Sequence, residues 1–223
     1  MIEIKNLNKI YLKGKKNMVH ALNNINLKID DRETVAIIGE SGAGKSTLLH
    51  IMSCIDNFDG EYYLDNIDIN KLSESKKSKL RSSKIGIVLQ DFALIDDFTV
   101  FENVMTPLYF NKKIKDKKGS VMRALKKTGI ASLKSKKVSQ LSGGQKQRVA
   151  ISRALVTNPE YIFADEPTGS LDSKTSEEIV KMLFDLNRNG ITIIIVTHNL
   201  EIANQCHHII EIKDGYIIKD ICS

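Results

Sequence analysis

The residues best suited to chemistry form one unbroken run that fits the pattern G-x-x-x-x-G-K-[ST]. Its members are Gly39, Glu40, Ser41, Gly42, Ala43, Gly44, Lys45, Ser46 and Thr47. Glycine lets backbone N–H groups approach a phosphate closely, because no Cβ stands in the way. The lysine adds a positive charge for the phosphate oxygens. This run, called the phosphate loop below, predicts a binding site for a nucleoside triphosphate. The alternative is a glycine-rich turn that only starts a helix.

The elements on either side of the phosphate loop support the phosphate-binding interpretation. Residues 35–38 are apolar and predict a buried strand, and residues 48–52 predict a helix. A loop that leads into a helix places unpaired amides and the positive end of the helix dipole against an anion. In such a site the hydroxyl of Ser46 would coordinate Mg²⁺.

A pair of adjacent acids, Asp165 and Glu166, follows the apolar run 161–164. Two carboxylates at the end of a buried strand are costly unless they serve a cation or a proton. Asp165 suits the coordination shell of Mg²⁺, and Glu166 suits a base that polarises water. An ordinary acidic loop is the alternative.

A second glycine stretch, Ser142, Gly143, Gly144 and Gln145, precedes the predicted helix 146–155. Ser142 is a good N-cap, and the two glycines expose backbone amides to an anion. A capped helix with a flexible entry explains the same residues. Isolated polar residues at predicted strand ends, such as Gln90 and His198, are usually structural. For Tyr11, a structural role is sufficient, in which its ring is half buried against a sheet.

Composition limits the remaining function classes. The chain has 223 residues, of which 42% are hydrophobic, enough for one folded unit with at most a subdomain. The formal net charge is +6, but aromatic residues make up only 6% and none is Trp. Because a nucleic-acid platform needs basic residues interleaved with aromatic ones, we expect no nucleic-acid partner.

Cysteine usage and the apolar runs indicate the compartment. The three cysteines, Cys54, Cys206 and Cys222, lack the spacing of a disulfide framework or a zinc site, which fits a reducing cytosol. The N-terminus lacks the basic and apolar regions of a signal peptide. The densest apolar run, 191–196, is too short to span a bilayer. If a membrane is involved, we expect the chain to act from outside it.

Taken together, these motifs resemble the nucleotide-binding subunit of ATP-binding cassette (ABC) transporters over essentially residues 1–223. The phosphate loop, Gln90, the LSGGQ stretch 141–145, the acid pair, the SLD stretch 170–172 and His198 occur in that family's order. The LSGGQ residues, called the signature stretch below, are the most specific. The resemblance implies an α/β fold: a P-loop NTPase core of the ABC ATPase type (1–90 and 158–223), an N-terminal antiparallel β region and an inserted α-helical subdomain at about 91–157.

The resemblance also implies roles for individual residues around ATP and Mg²⁺. Two subunits would pack head to tail, with each ATP between the phosphate loop of one and residues 142–145 of the other. The implied roles are adenine stacking for Tyr11, Mg²⁺ ligation for Ser46 and Gln90, the Mg²⁺ shell for Asp165, general base for Glu166, γ-phosphate contact for His198 and communication across the dimer for Asp172.

Within the family, residues 88–104 and 164–175 resemble the branch for lipoprotein release, macrolide export and peptide-antibiotic export (LolD/MacB-like). The implied function is an ATPase that powers a separate membrane permease from the cytoplasmic face of the membrane, as a dimer with itself or a similar subunit. An FtsE-like regulatory ATPase that signals without transport is the alternative. Arg32, Asn66 and Asn199 depart from the family pattern, and Asn199 bears on regulation of the histidine switch.

Overall fold

The structure is a computed structural model that describes residues 1–111 and 113–222. It separates into two compact units, Met1–Ser78 with Thr192–Ser223, and Lys79–Ile191. The strands are β1 (Ile2–Tyr11), β2 (Val19–Ile29), β3 (Thr34–Ile38), β4 (Asp59–Leu64), β5 (Ile67–Asp68), β6 (Ile85–Val88), β7 (Tyr161–Asp165), β8 (Thr192–Val196), β9 (His208–Lys213) and β10 (Tyr216–Cys222). The α-helices are α1 (Lys45–Met52), α2 (Glu74–Lys84), α3 (Val100–Met105), α4 (Lys117–Lys127), α5 (Gly143–Leu155), α6 (Ser173–Arg188) and α7 (Leu200–Ala203).

The first unit contains an antiparallel sheet with strand order β2-β1-β4-β5. In β1 and β2 the alternation expected from the sequence holds, since Ile2 and Ile4 are buried and pair with the buried Ile29 and Leu27. This period of two places one face of the sheet against a core and leaves polar residues on the other. The predicted N-terminal antiparallel β region is confirmed.

The same unit contains β3 between two parallel neighbours, β8 and β9, and β9 turns into the antiparallel β10. All five residues of β8 are buried. Strands buried on both faces are nearly continuous apolar runs rather than alternating ones, which is why 192–196 carries three isoleucines and a valine. The parallel pairing brings the carboxyl end of β8 beside that of β3, where the phosphate loop begins.

The second unit contains the parallel pair β6 and β7, together with α3 to α6. Between β6 and β7 the described residues form helices and turns, as the change to helical spacing after residue 90 predicts. The close approach of α5 to β6 depends on Gly86, because a Cβ there would lie 2.7 Å from the Ala154 carbonyl oxygen. No helix in the described ranges is both long enough and apolar enough to cross a bilayer.

Gly39 illustrates how tightly the phosphate loop is packed onto β9. Its φ is +145°, and a Cβ there would overlap the Ile212 carbonyl oxygen. We expect Gly39→Ala to lower the free energy of unfolding by about 2–4 kcal/mol, since it adds backbone strain and a clash with main chain. Urea unfolding of the nucleotide-free protein measures this loss.

Gly14 provides the matched control for Gly39. It also has a positive φ, +81°, but a Cβ there would meet no atom of the described residues within 4 Å. Gly14→Ala should therefore cost only the conformational strain, about 1 kcal/mol. Equal losses for the two variants would show that the contact with Ile212 contributes nothing.

Candidate functional site

The phosphate loop connects β3 to α1 within the first unit. Gly44 is the N-cap of α1, and its φ of +109° lies in the region that favours glycine. The Lys45 ammonium folds back and donates to the Gly39 carbonyl oxygen at 2.9 Å and to the Glu40 carbonyl oxygen at 2.7 Å. A positive charge thus lies inside a loop that leads into a helix N-terminus, an arrangement that suits a polyphosphate.

The loop is held from two sides by distant segments. A Cβ on Gly44 would lie 2.5 Å from the Ala21 carbonyl oxygen in β2. On the other side, the Gly215 N–H, in the turn between β9 and β10, donates to the Ala43 carbonyl oxygen at 3.0 Å. The backbone of the loop is therefore fixed before any ligand arrives.

A cleft of about 460 Å³ opens beside this loop. It is lined by Tyr11, Val19, His20, Ala21, Gly42, Gly44, Lys45, Ser46, Thr47, Asp214 and Gly215. The sequence predicted Tyr11 and the loop residues but missed the contributions of β2 and of the β9–β10 turn, which belong to no motif. Tyr11 is 37% exposed, so its ring is only partly covered.

At the carboxyl end of β8 the chain presents Thr197, His198 and Asn199. The Thr197 N–H donates to the Ile37 carbonyl oxygen at 3.1 Å, which joins this segment to β3. Asn199 is the N-cap of α7, and its side-chain oxygen accepts from the Glu201 N–H at 2.8 Å. Because Asn and Asp cap helices about equally well, this departure from the family pattern leaves the local structure intact.

The second unit brings Gln90, Asp165 and Glu166 together. Gln90 follows β6, Asp165 is the last residue of β7 and Glu166 comes directly after it. The two strands pair with Val88 opposite Ala164. A Cβ on Gly169 would lie 3.6 Å from the Glu166 Cβ and 4.0 Å from the Gln90 amide nitrogen. Glu166 has a φ of 45°, an uncommon conformation for a non-glycine residue. Such local strain often occurs where a side chain must be aimed at a site.

Asp165 fits a cation. Its side chain is 8% exposed, and its Oδ1 has no hydrogen-bond partner among the described residues. A buried carboxylate oxygen without a donor is costly unless a cation or water satisfies it. Oxygen donors such as a carboxylate, a hydroxyl and an amide are the ligands that Mg²⁺ prefers.

The signature stretch leads into α5, with Ser142 as the N-cap, and the helix begins at Gly143 rather than at the predicted residue 146. The Gln145 N–H donates to the Ser142 hydroxyl at 3.4 Å, and the Ser142 N–H donates to the Gln145 amide oxygen at 3.2 Å. This capping box leaves the amides of Gly143 and Gly144 at the helix N-terminus for an anion.

Asp172 caps the neighbouring helix α6. Its carboxylate accepts from the Thr175 hydroxyl at 2.7 Å and from the Thr175 N–H at 2.9 Å. These hydrogen bonds hold the pKa of the Asp172 carboxyl below its ordinary value. The two helix N-termini are adjacent, because a Cβ on Gly144 would overlap the Thr175 methyl group. The second unit therefore places Asp172 next to the signature stretch.

Arg153 is a residue that the motifs did not indicate. Its guanidinium donates to the carbonyl oxygens of Phe92 (2.8 Å) and Ala93 (2.5 Å), just after Gln90. Both accepting residues have positive φ, 62° and 45°. Burial lowers the pKa of Arg153, and the nearby Asp91 carboxylate opposes that effect. A strained segment after Gln90 is thus attached to the helix that carries the signature stretch.

The chain is similar to known proteins over nearly its whole length. The family model described as ABC transporter matches residues 22–169. The chain is 45% identical to the macrolide export ATP-binding/permease protein MacB of Mannheimia succiniciproducens, over 99% of this chain but 34% of that protein. It is also 45% identical to the uncharacterized ABC transporter ATP-binding protein MJ0796 of Methanocaldococcus jannaschii, over 99% of this chain and 96% of that protein. The chain thus spans about a third of its MacB relatives.

Solved structures give the same result. A dimeric post-hydrolysis state of the ATP-binding cassette MJ0796, bound to ADP and Pi, matches with a TM-score of 0.91 and 42% identity, over 100% of this chain and 98% of that one. The cbiO1 protein of Clostridium perfringens, described as part of an ABC transporter complex, matches with a TM-score of 0.86 and 38% identity, over 98% of this chain and 87% of that one. The predicted fold class is therefore confirmed, and the chain belongs to the ABC transporter family as one of its ATPase domains.

Proposed function

We propose that the chain binds ATP in the phosphate loop and hydrolyses it to ADP and phosphate. The observation that carries the proposal is the preformed loop, in which the Lys45 ammonium lies against the Gly39 and Glu40 carbonyl oxygens. A triphosphate offers this ammonium stronger, charged acceptors. Tyr11, at the edge of the same cleft, stacks on the adenine.

For hydrolysis, the proposal assigns roles to Glu166 and His198. Glu166 accepts the proton of the attacking water, and His198 contacts the γ-phosphate. Ser46, Gln90 and Asp165 would hold Mg²⁺, which would neutralise negative charge on the phosphate oxygens. The buried Oδ1 of Asp165, which has no hydrogen-bond partner within residues 1–111 and 113–222, supports its part in this set. Residues 1–223 act as one ABC ATPase domain, with 91–157 as its helical subdomain.

Each active site is composite in this proposal. The amides at the start of α5 face the ATP held by a second subunit, and Asp172, adjacent to them, communicates across the dimer. The dimeric state of the MJ0796 cassette supports this arrangement.

The partner we propose is an integral membrane permease, which the dimer engages at the cytoplasmic face of the membrane. Support comes from relatives named as macrolide export ATP-binding/permease proteins, in which a matching region makes up 34% of the length. Export or extraction of a peptide, antibiotic or lipid-like substrate is the proposed output. Substrate movement by the reconstituted complex distinguishes this output from FtsE-like signalling, in which ATP turnover would occur without transport.

A mixing experiment tests the composite site. Lys45→Ala disables the phosphate loop, and Ser142→Asp places a negative charge beside the phosphates while keeping a residue that caps helices well. Either variant alone forms dimers with no intact site, whereas a heterodimer of the two contains one. Phosphate release should therefore be near background for each variant and should reappear on mixing.

The phosphate release of the mixture can also contradict the proposal. Activity that stays at background in the mixture, with each variant folded and the wild-type protein active, would mean that phosphate loop and signature stretch act within one subunit. Mixing two samples of the same variant provides the control.

A further inference from the structure

The cleft borders a charged cluster that no motif indicated, formed by Lys9, Tyr11 and Asp56. The Lys9 ammonium donates to Asp56 Oδ1 at 2.6 Å, and the Tyr11 hydroxyl donates to Asp56 Oδ2 at 2.7 Å. Lys9 also donates to the Asn57 carbonyl oxygen at 2.6 Å. The Asp56 carboxylate thus accepts hydrogen bonds from both the Lys9 ammonium and the Tyr11 phenol.

Burial distinguishes this cluster from an ordinary surface ion pair. The Lys9 side chain is 11% exposed and that of Asp56 is 27% exposed. By comparison, the Lys13 ammonium lies 3.5 Å from the Asp59 carboxylate in the same unit, and the two side chains are 72% and 70% exposed. Exposed pairs of the second kind contribute little, because solvent screens them and their side chains stay mobile. Charge-assisted hydrogen bonds in a less exposed site hold their partners in one geometry.

The cluster determines which surface of the Tyr11 ring remains available. Lys9 and Tyr11 are two residues apart in β1, so their side chains share one face of the strand. The Lys9 ammonium lies 4.7 Å from the centre of the ring. One side of the ring is thus covered by a cation, while the ring still borders the cleft and is 37% exposed.

Asp56 connects the ring to the phosphate loop through α1. The turn after this helix is hydrogen-bonded to the helix itself, because the Ile55 N–H donates to the His50 carbonyl oxygen at 2.9 Å. At the other end of α1, Thr47 lines the same cleft as Tyr11. The phenol is therefore attached, through Asp56, to the turn that follows the helix that starts in the phosphate loop.

The protonation behaviour of Asp56 agrees with this geometry. Partial burial alone would raise the pKa of its carboxyl, but the hydrogen bonds from Lys9, Tyr11 and the Asn57 N–H lower it below the ordinary value. The carboxylate is consequently ionised wherever the protein is folded near neutral pH.

We propose that Lys9 and Asp56 are positioning residues that hold the Tyr11 ring as a fixed stacking surface for a purine base, at a set distance from the phosphate loop. The proposal rests on the proposed function, in which that loop binds ATP. A ring fixed before binding loses little freedom when the base stacks on it, so the cluster contributes to affinity for the base and not for the phosphates.

The test compares two ligands, Mg·ATP and inorganic triphosphate, by isothermal titration calorimetry. We expect Asp56→Ala to weaken ATP binding about fivefold to tenfold, which is within the range of one base–aromatic stack. The affinity for triphosphate should stay within about twofold of the wild-type value, because changes at independent sites alter each other's effects by no more than this. Asp59→Ala, which removes a carboxylate from the exposed pair, is the matched control and should change neither affinity. Asp56→Asn serves in the same comparison if the alanine variant does not fold.

A double-variant cycle then shows whether Asp56 acts through the phenol. Tyr11→Phe keeps the ring but loses the hydroxyl, so adding Asp56→Ala to it should weaken ATP binding by less than half of the factor seen in the wild-type background. Lys9→Arg should retain the wild-type affinity for ATP, and Lys9→Met should lose about as much as Asp56→Ala.

Three results would overturn the positioning role while leaving the proposed function standing. They are unchanged ATP affinity in Asp56→Ala, equal losses for ATP and triphosphate, or full additivity with Tyr11→Phe. Failure of the proposed function looks different, because the wild-type protein would then bind neither ligand.

Discussion

Glu166→Gln should abolish ATP hydrolysis while ATP remains bound. An amide cannot accept the proton of the attacking water, and loss of a positioned general base typically lowers a rate by about 10²–10⁴-fold. Glutamine matches glutamate in shape and has the same backbone requirement at a φ of 45°, so the fold should be unchanged. Phosphate release in single-turnover conditions measures the loss.

The same variant should accumulate as an ATP-bound dimer, since the step that separates the subunits no longer occurs. Light scattering with and without Mg·ATP measures this as a doubling of mass. Glu160→Gln is the matched control, because Glu160 is a 56% exposed glutamate of the same unit that pairs with Lys84 at 2.9 Å. Hydrolysis at the wild-type rate in Glu166→Gln would remove this residue from the mechanism.

Lys45→Ala should weaken ATP binding by about 10–100-fold, because it deletes the only side-chain cation of the phosphate loop and a charged hydrogen bond to phosphate is worth about 1.5–3 kcal/mol. The carbonyl oxygens of Gly39 and Glu40 lose their donor as well. Calorimetric titration with Mg·ATP measures the change in affinity.

Lys71→Ala provides the comparison for Lys45→Ala. Lys71 is 82% exposed, and its ammonium lies 3.0 Å from the Asp68 carboxylate. Its removal changes the net charge equally, at a position that is not among the residues lining the cleft. Equal losses of ATP affinity in both variants would indicate a general effect of charge. Unchanged affinity in Lys45→Ala would exclude the loop as the phosphate site.

The sequence was sufficient where function and local structure depend on the same residues. The phosphate loop needs glycines, a lysine and a hydroxyl in consecutive order, and Ser142 with Gln145 forms a capping box at a fixed spacing. The fully buried β7 and β8 were predictable for a similar reason, because burial on both faces favours continuous apolar runs such as 162–164 and 193–196.

The sequence was insufficient where a contact joins distant segments. Lys9 and Asp56 are 47 positions apart, and Arg153 reaches Phe92 across 61 positions. Nothing in the local pattern of these residues differs from an ordinary strand lysine, turn aspartate or helix arginine. Their partners depend on how the strands and helices pack, which no fixed spacing encodes.

The positive φ angles at non-glycine residues could not be predicted from the sequence either. Phe92, Ala93 and Glu166 adopt them although their residue types favour other conformations. Only surrounding tertiary contacts, such as the Arg153 guanidinium on the Phe92 carbonyl oxygen, stabilise such backbone.

The support of the phosphate loop by the β9–β10 turn has a consequence for biosynthesis. Residues 39–47 are synthesised before the β9–β10 turn, and the Ala43 carbonyl oxygen receives its hydrogen bond from Gly215, more than 170 positions later. Closing so long a segment is entropically slow compared with forming a local turn. A nascent chain that stops short of Gly215 has the complete phosphate-loop sequence without the completed loop. The protein therefore gains its capacity to bind nucleotide only after Gly215 has been synthesised and the β9–β10 turn has formed.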